Sequence, residues 1–202
     1  QMKEYEEEFD SMLFHLPLAG STFKKVYYDV PLARVVSKFI PADELVVPYT
    51  ATSLDDAESV IHVVKMSENE LRKQQVGGFY RDVDLAPPGN VEQNDVEKKE
   101  RELDGTKKVG KQDTMYTLLE CHVNLDLEGF EEVGADGEPT GVKLPYIVTV
   151  EEGSRLVLSI RRNYAPDDLK KSKSQYFVHF KFLPGLGFYG FGLIHMIGGL
   201  SR

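Results

Sequence analysis

Apolar residues recur at spacings of three and four along the first stretch of the chain. Met2, Tyr5, Phe9, Met12 and Leu13 form one stripe, and acidic residues fill the positions between them. That pattern predicts an amphipathic helix over residues 1–14, ended by Leu16-Pro17-Leu18-Ala19-Gly20. The period then becomes strand-like. Ser21–Asp29 and Arg34–Ile40 are rich in β-branched and aromatic residues and flank Val30-Pro31-Leu32-Ala33, which predicts a hairpin. Residues 41–48 are bounded by prolines and read as an irregular connector with Leu45, Val46 and Val47 buried. Ser53 is placed to cap a short turn through Asp56. Residues 59–65 alternate toward a strand. Ser67 and Glu70 then spell a capping box, starting a helix that runs to about Val76 and stops at Gly77-Gly78.

The pattern weakens over residues 82–112, which hold Pro87-Pro88-Gly89, a charged run over 95–104, Gly105 and Gly110. This reads as a charged surface insertion with a helix over 91–103. Strands are predicted at 115–127, 130–133, Leu144–Glu151, 155–162 and 175–183, with Asp136-Gly137 as a hairpin turn. In the 155–162 strand, Leu156, Leu158 and Ile160 fall on one face and Arg155, Val157, Ser159 and Arg161 on the other. Residues 163–174 form a polar, lysine-rich loop.

The fold class expected is α+β. It has a β-rich, antiparallel, sheet or barrel-like core, an N-terminal helix and one or two further short helices. Residues 1–81 supply the helix, hairpin and connector, 82–114 the charged insertion, and 115–202 an antiparallel β region ending in a glycine-rich segment. All three are expected to form one domain.

Composition narrows the class. Hydrophobic residues make up 41% of the 202, enough for a core. The net charge of −9 argues against a free nucleic-acid binder, which needs a basic face. A wall that DNA slides past is compatible with repulsion. The single cysteine, Cys121, excludes an internal disulfide and thiolate zinc sites, and fits assembly in a reducing cytoplasm. Residues 1–10 are acidic and polar, unlike a signal peptide. The chain opens inside a helical pattern at Gln1 and stops at Arg202 without a tail, which reads as a piece of a longer protein.

Several constellations deserve weighing as chemistry. Gly185-Leu186-Gly187-Phe188-Tyr189-Gly190 spells G-x-G-x-x-G after a predicted strand. A dinucleotide site also needs a returning parallel strand and an acidic ribose ligand roughly 20 residues on, and the sequence stops at Arg202. Glycines permitting a close turn are the stronger reading. Residues 183–200 are apolar, but Pro184, His195 and six glycines make a poor membrane span. A packing segment fits better, with Gly185, Gly187, Phe188, Tyr189, Phe191, Leu193 and Ile194 as its contact residues. Asp55, Asp56, Glu58 and His62 read as a solvated acidic turn rather than a metal site. Cys121 and His122 are neighbours on a strand and point to opposite faces, so they do not form a nucleophile–base pair, and Cys121 reads as a small core residue. His15, His179 and His195 sit in apolar surroundings and read as hydrogen-bonded core histidines. Lys170, Lys171 and Lys173 form the one basic cluster, a solvated loop or a weak contact to phosphate or an acidic neighbour. No nucleophile, base and oxyanion donor come together, so catalytic residues, metal ligands and cofactor are each assigned as none, and the chain is not read as an enzyme.

Residues 16–29, from Leu16-Pro17-Leu18-Ala19-Gly20-Ser21 to Tyr28-Asp29, resemble the portal proteins of short-tailed and related bacteriophages. The likeness continues through Phe39-Ile40-Pro41-Ala42-Asp43-Glu44-Leu45-Val46-Val47-Pro48-Tyr49, then Ala51-Thr52-Ser53-Leu54-Asp55-Asp56-Ala57, to residues 60–71 in the wing of such portals. Phe182-Leu183-Pro184-Gly185-Leu186-Gly187-Phe188-Tyr189-Gly190-Phe191-Gly192-Leu193-Ile194-His195 is similar to the segment where a portal chain leaves its wing for the stem helix. Residues 82–114 lie outside the likeness. The resemblance implies an internal wing fragment of a structural virion protein. It implies a homo-oligomeric ring, typically of twelve subunits, at one capsid vertex of a phage or prophage particle, assembled in the host cytoplasm. It also implies a conduit for double-stranded DNA in packaging and ejection, without sequence specificity. Terminase, scaffold, capsid and head-completion proteins are the implied partners, and no membrane. The stem and clip lie outside these residues, so the fragment alone is expected to be monomeric or weakly associated. The alternative reading is another virion structural or adaptor domain that binds a protein. A nucleotide-binding enzyme domain ranks below both.

Overall fold

A computed structural model describes residues 4–29, 33–87, 115–134 and 136–198. The first helix, α1, spans Tyr5–Ala19 and runs through Pro17 rather than stopping before it. Pro17 falls in the last turn, where its missing N–H forfeits one helical bond and leaves the preceding turns intact. Gly20 provides the stop: it adopts a left-handed φ of 83°, and its N–H donates to Leu16 O at 2.9 Å. Of the predicted apolar stripe only Met12 is fully buried. Tyr5 and Leu13 are about half exposed, each at 48%, and Met2 lies outside the described residues. Instead, Tyr5 and Phe9 turn their rings toward the Lys24 ammonium, 4.3 and 5.1 Å from the ring centroids. Burial holds the Lys24 amine below its ordinary pKa, opposed by the charge of Glu8.

The remaining elements are β1 (Ser21–Asp29), β2 (Arg34–Ile40), a 3-10 turn (Ala42–Glu44), β3 (Leu45–Val46), β4 (Ser59–Met66), α2 (Glu68–Val76), β5 (Tyr116–Leu125), β6 (Leu144–Glu151), β7 (Val157–Arg162), β8 (Phe177–Lys181) and α3 (Leu193–Ile197). The strands form two open antiparallel sheets, ordered β2-β1-β8 and β3-β4-β5-β6-β7. This is the expected α+β class, with open sheets in place of a barrel. The chain divides into two compact units: residues 1–62, 121–147 and 162–202, and residues 63–120 and 148–161.

In the first unit, β1 pairs antiparallel with β2, Phe23 opposite Ile40, and with β8, Phe23 opposite His179. The first four residues of β1 are buried on both faces. α1 covers one face. On the other, Phe23, Ile40, Leu45, Ala57, Phe177 and Phe188 belong to a common apolar cluster. The outer edge of β2 is occupied by α1: Glu8 accepts from the Phe39 N–H, and Glu4 takes a two-oxygen pairing from Arg34. In the 41–48 connector only Leu45 is fully buried; Val46 is 49% exposed, because a two-residue strand turns alternate side chains outward. The predicted strand at 130–133 shrinks to one bridge between Val133 and Pro139. Asp136-Gly137 does turn the chain there, with Gly137 at φ 83° and its N–H donating to Gly134 O.

In the second unit, Ser67 caps α2 and Glu70 closes the reciprocal bond. Leu71, Tyr80, Tyr116, Leu118 and Leu158 make the core, with Val83 and Leu85 packed against it. Gln75 donates to the carbonyls of Arg81 and Val83, so residues 82–85 belong to the body and not to a surface insertion. The rest of that region, residues 88–114 with the predicted helix over 91–103, lies outside the described residues. On β7 only Leu158 is buried; Ile160 is 50% exposed, as is Leu156 just before the strand at 41%. β7 is the outermost strand of its sheet, with a flanking strand on one side only.

Candidate functional site: a glycine-anchored apolar segment

Residues 182–198 follow β8 and fold back on the junction between α1 and β1. Phe182 N–H donates to Gly20 O at 3.0 Å. Leu183 and Phe191 then close a loop by exchanging backbone bonds of 3.2 and 2.8 Å. The approach is so tight that only glycine fits. A Cβ on Gly190 would lie 2.6 Å from Gly20 O and 2.7 Å from Leu183 O. One on Gly192 would lie 2.3 Å from Leu18 O. Gly187 has open space around it, with nothing within 4 Å. The G-x-G-x-x-G string therefore holds three different positions: Gly185 and Gly190 are pressed against backbone and Gly187 is not.

One side chain locks this junction. Ser21, 1% exposed, accepts the Gly190 N–H at 2.8 Å and sits 3.1 Å from Nε2 of His179. The His179 ring lies against Phe23 at 4.4 Å and stacks on Phe188 at 4.8 Å. Burial, with the charge of Lys181 adding to it, pushes His179 down to about 4. Tyr189 reaches Leu45 O at 3.5 Å, and burial raises its phenol.

The other half of the segment faces outward. Leu186 is fully exposed, and Phe191, Ile194, Met196 and Ile197 are each between 43% and 64% exposed. α3 packs against α1, whose Leu13, Phe14 and Leu18 are exposed as well. Of the contact residues read from sequence, Phe188 belongs to the core, Gly185 and Leu193 are half-buried, Gly187 and Tyr189 line the loop, and Phe191 and Ile194 are at the surface. Sequence reading missed Met196, Ile197 and the contribution of α1. The spacing of Phe14 and Leu18, one helical turn apart, was the available signal.

The other candidates disperse. Of the three expected core histidines His179 is half-buried; His15 and His195 are exposed, bonded locally to Ser11 O and to the Gly192 N–H. His122 is buried at 4%, edge-on to Phe177, while Cys121, expected as a small core residue, is only half-buried. Asp56 accepts from the Thr52 hydroxyl and the backbone N–H groups of Thr52 and Ser53, which push it down to about 2; it is a turn residue. Among the described residues no group of three or more His, Cys, Asp or Glu is placed to hold a metal. Lys171 pairs with Glu132, Lys173 donates to the carbonyls of Leu54 and Ala57, and Lys170 is exposed. Two of the three lysines are thus engaged within the chain. An open cleft of about 350 Å³ lies between the 53–55 turn and β8. Among the described residues no helix is long and apolar enough to cross a membrane.

No protein-family model matches this chain, and no curated protein matches it in sequence.

Proposed function

We propose that the chain is a structural and interaction module, the wing portion of a phage portal subunit, and that residues 186–197 are a face on which a neighbouring subunit packs. One observation carries the reading. The segment is fastened at one end by glycine contacts that admit no side chain, yet its Leu186, Ile194 and Ile197 are left on the surface. Apolar residues displayed on a fixed support suit a partner surface better than a solvated tail. The portal part of the reading rests on the resemblance at residues 16–71 and 182–195, two stretches distant in sequence that meet at Gly20, Gly190 and Gly192. In this reading the ring, the capsid vertex, and contacts with terminase, scaffold, capsid and head-completion proteins belong to the longer protein. DNA passes a wall of net negative charge.

The test is sedimentation equilibrium over about a thousandfold concentration range, comparing the chain with an Ile194→Asp, Ile197→Asp double variant. Weak self-association that the double variant abolishes is expected. Strictly monomeric behaviour of both at millimolar concentration removes the support for a docking face. Binding of NAD or ATP at micromolar levels, read by calorimetry, would favour an enzyme instead.

A further inference from the structure

The glycine loop meets β1 through the hydroxyl of Ser21. That oxygen is buried and takes the Gly190 N–H. Its own proton then has one described destination, Nε2 of His179 at 3.1 Å. In the tautomer whose Nε2 carries no proton, the chain of bonds runs from Gly190 N–H to Ser21 Oγ and from Ser21 O–H to that nitrogen. A protonated ring reverses the second bond. The Ser21 oxygen then accepts from both Nε2–H and Gly190 N–H, and the buried hydroxyl proton loses its one described acceptor.

The ring's neighbours act in the same direction. Phe23 and Phe188 clamp it from β1 and from the glycine loop. On β8 itself, Lys181 brings a positive charge and donates to Gly187 O at 3.4 Å. The 53–55 turn contributes Asp55 across the cleft that His179 lines. Among the described residues lining that cleft, Asp55 alone would favour the charged ring.

We propose that Ser21 and His179 form an acid-sensitive latch that holds residues 185–198 against β1 and releases them when His179 takes up a proton. The inference rests on the reading of this segment as a docking face, which it turns into a regulated one. His179 titrates at about 4 in the latched state and near 6.5 once freed. The latch is therefore complete above about pH 6.5 and is lost as pH falls toward 4. Because part of the ring lines an open cleft, the released fraction should rise by about tenfold to a hundredfold over that span.

Amide hydrogen exchange by NMR, corrected for intrinsic rates, measures this directly. In the unaltered chain the protection of the Gly190 amide should fall by about tenfold or more between pH 7 and 4.5, while amides of Val36 and Leu118 keep theirs. His179→Gln should flatten the pH profile. Ser21→Ala should leave Gly190 poorly protected at every pH with an unchanged circular dichroism spectrum. A flat profile in the unaltered chain, or the same fall in His179→Gln, overturns the latch. The Ile194→Asp, Ile197→Asp variant separates the two ideas. It should keep the pH profile of Gly190 and lose association, so each can fail without the other.

Discussion

Substituting one methyl group into the glycine loop tests the anchor. Gly190→Ala puts a Cβ 2.6 Å from Gly20 O and 2.7 Å from Leu183 O, both backbone atoms that cannot rotate away. Ordinary contact needs at least 3.4 Å, so the loop must retreat by roughly 0.8 Å. Overpacking of this kind costs about 1–3 kcal/mol. The retreat also stretches the Gly190–Ser21 bond, worth about 1 kcal/mol more. A total of about 2–4 kcal/mol corresponds to a drop of about 4–16 °C in Tm for a chain of this size. Gly187→Ala, three residues away in the same motif, meets nothing within 4 Å. It should change stability by less than about 0.5 kcal/mol. Urea unfolding followed by circular dichroism and tyrosine fluorescence would compare the two. Equal stability of the two variants would refute the claim that the motif exists for backbone packing.

Other expectations follow from the same structure. Ser67→Ala removes the Glu70 N–H to Ser67 Oγ bond of the α2 capping box and should cost about 1 kcal/mol, read as a lower urea midpoint. Leu158→Ala empties the centre of the second core and should cost about 2–5 kcal/mol. Burial acts to raise the Glu151 carboxyl, but the hydroxyl and N–H of Ser154 and the N–H of Gly153 together hold it below its ordinary 4.5. Its contribution is therefore present above about pH 4.5 and lost as pH falls. Glu151→Gln should lower stability at pH 7 and flatten the acid limb of a stability–pH curve; an unchanged limb would count against the assignment.

What the sequence disclosed followed from local rules. Ser21–Asp29, Arg34–Ile40 and Leu144–Glu151 emerge with the bounds their alternation predicts, and Ser67 with Glu70 starts α2 as read. Each needs only neighbours in the chain. The continuation of α1 through Pro17 was hidden because the rule for reading prolines stops a helix at the residue before one, and this helix runs two residues further to its Gly20 stop. Which of Leu156, Leu158 and Ile160 is buried depends on β7 being an outermost strand, a fact of pairing order. The site was half legible. Its glycine content signalled close approach, but that Gly190 and Gly192 press on Gly20 and Leu18 is non-local. So is the meeting of Ser21 with His179, across 158 residues.

The reading of the chain as part of a vertex ring is tested most directly by its place in a particle. The turn at Gly137 is exposed and has nothing within 4 Å of an added Cβ, so it should accept a short epitope. Gold labelling of that epitope in virions assembled with the full-length gene product would locate the chain by electron microscopy. Label confined to one vertex per particle is the result predicted. Label distributed over the capsid faces, or missing from purified particles, would contradict it.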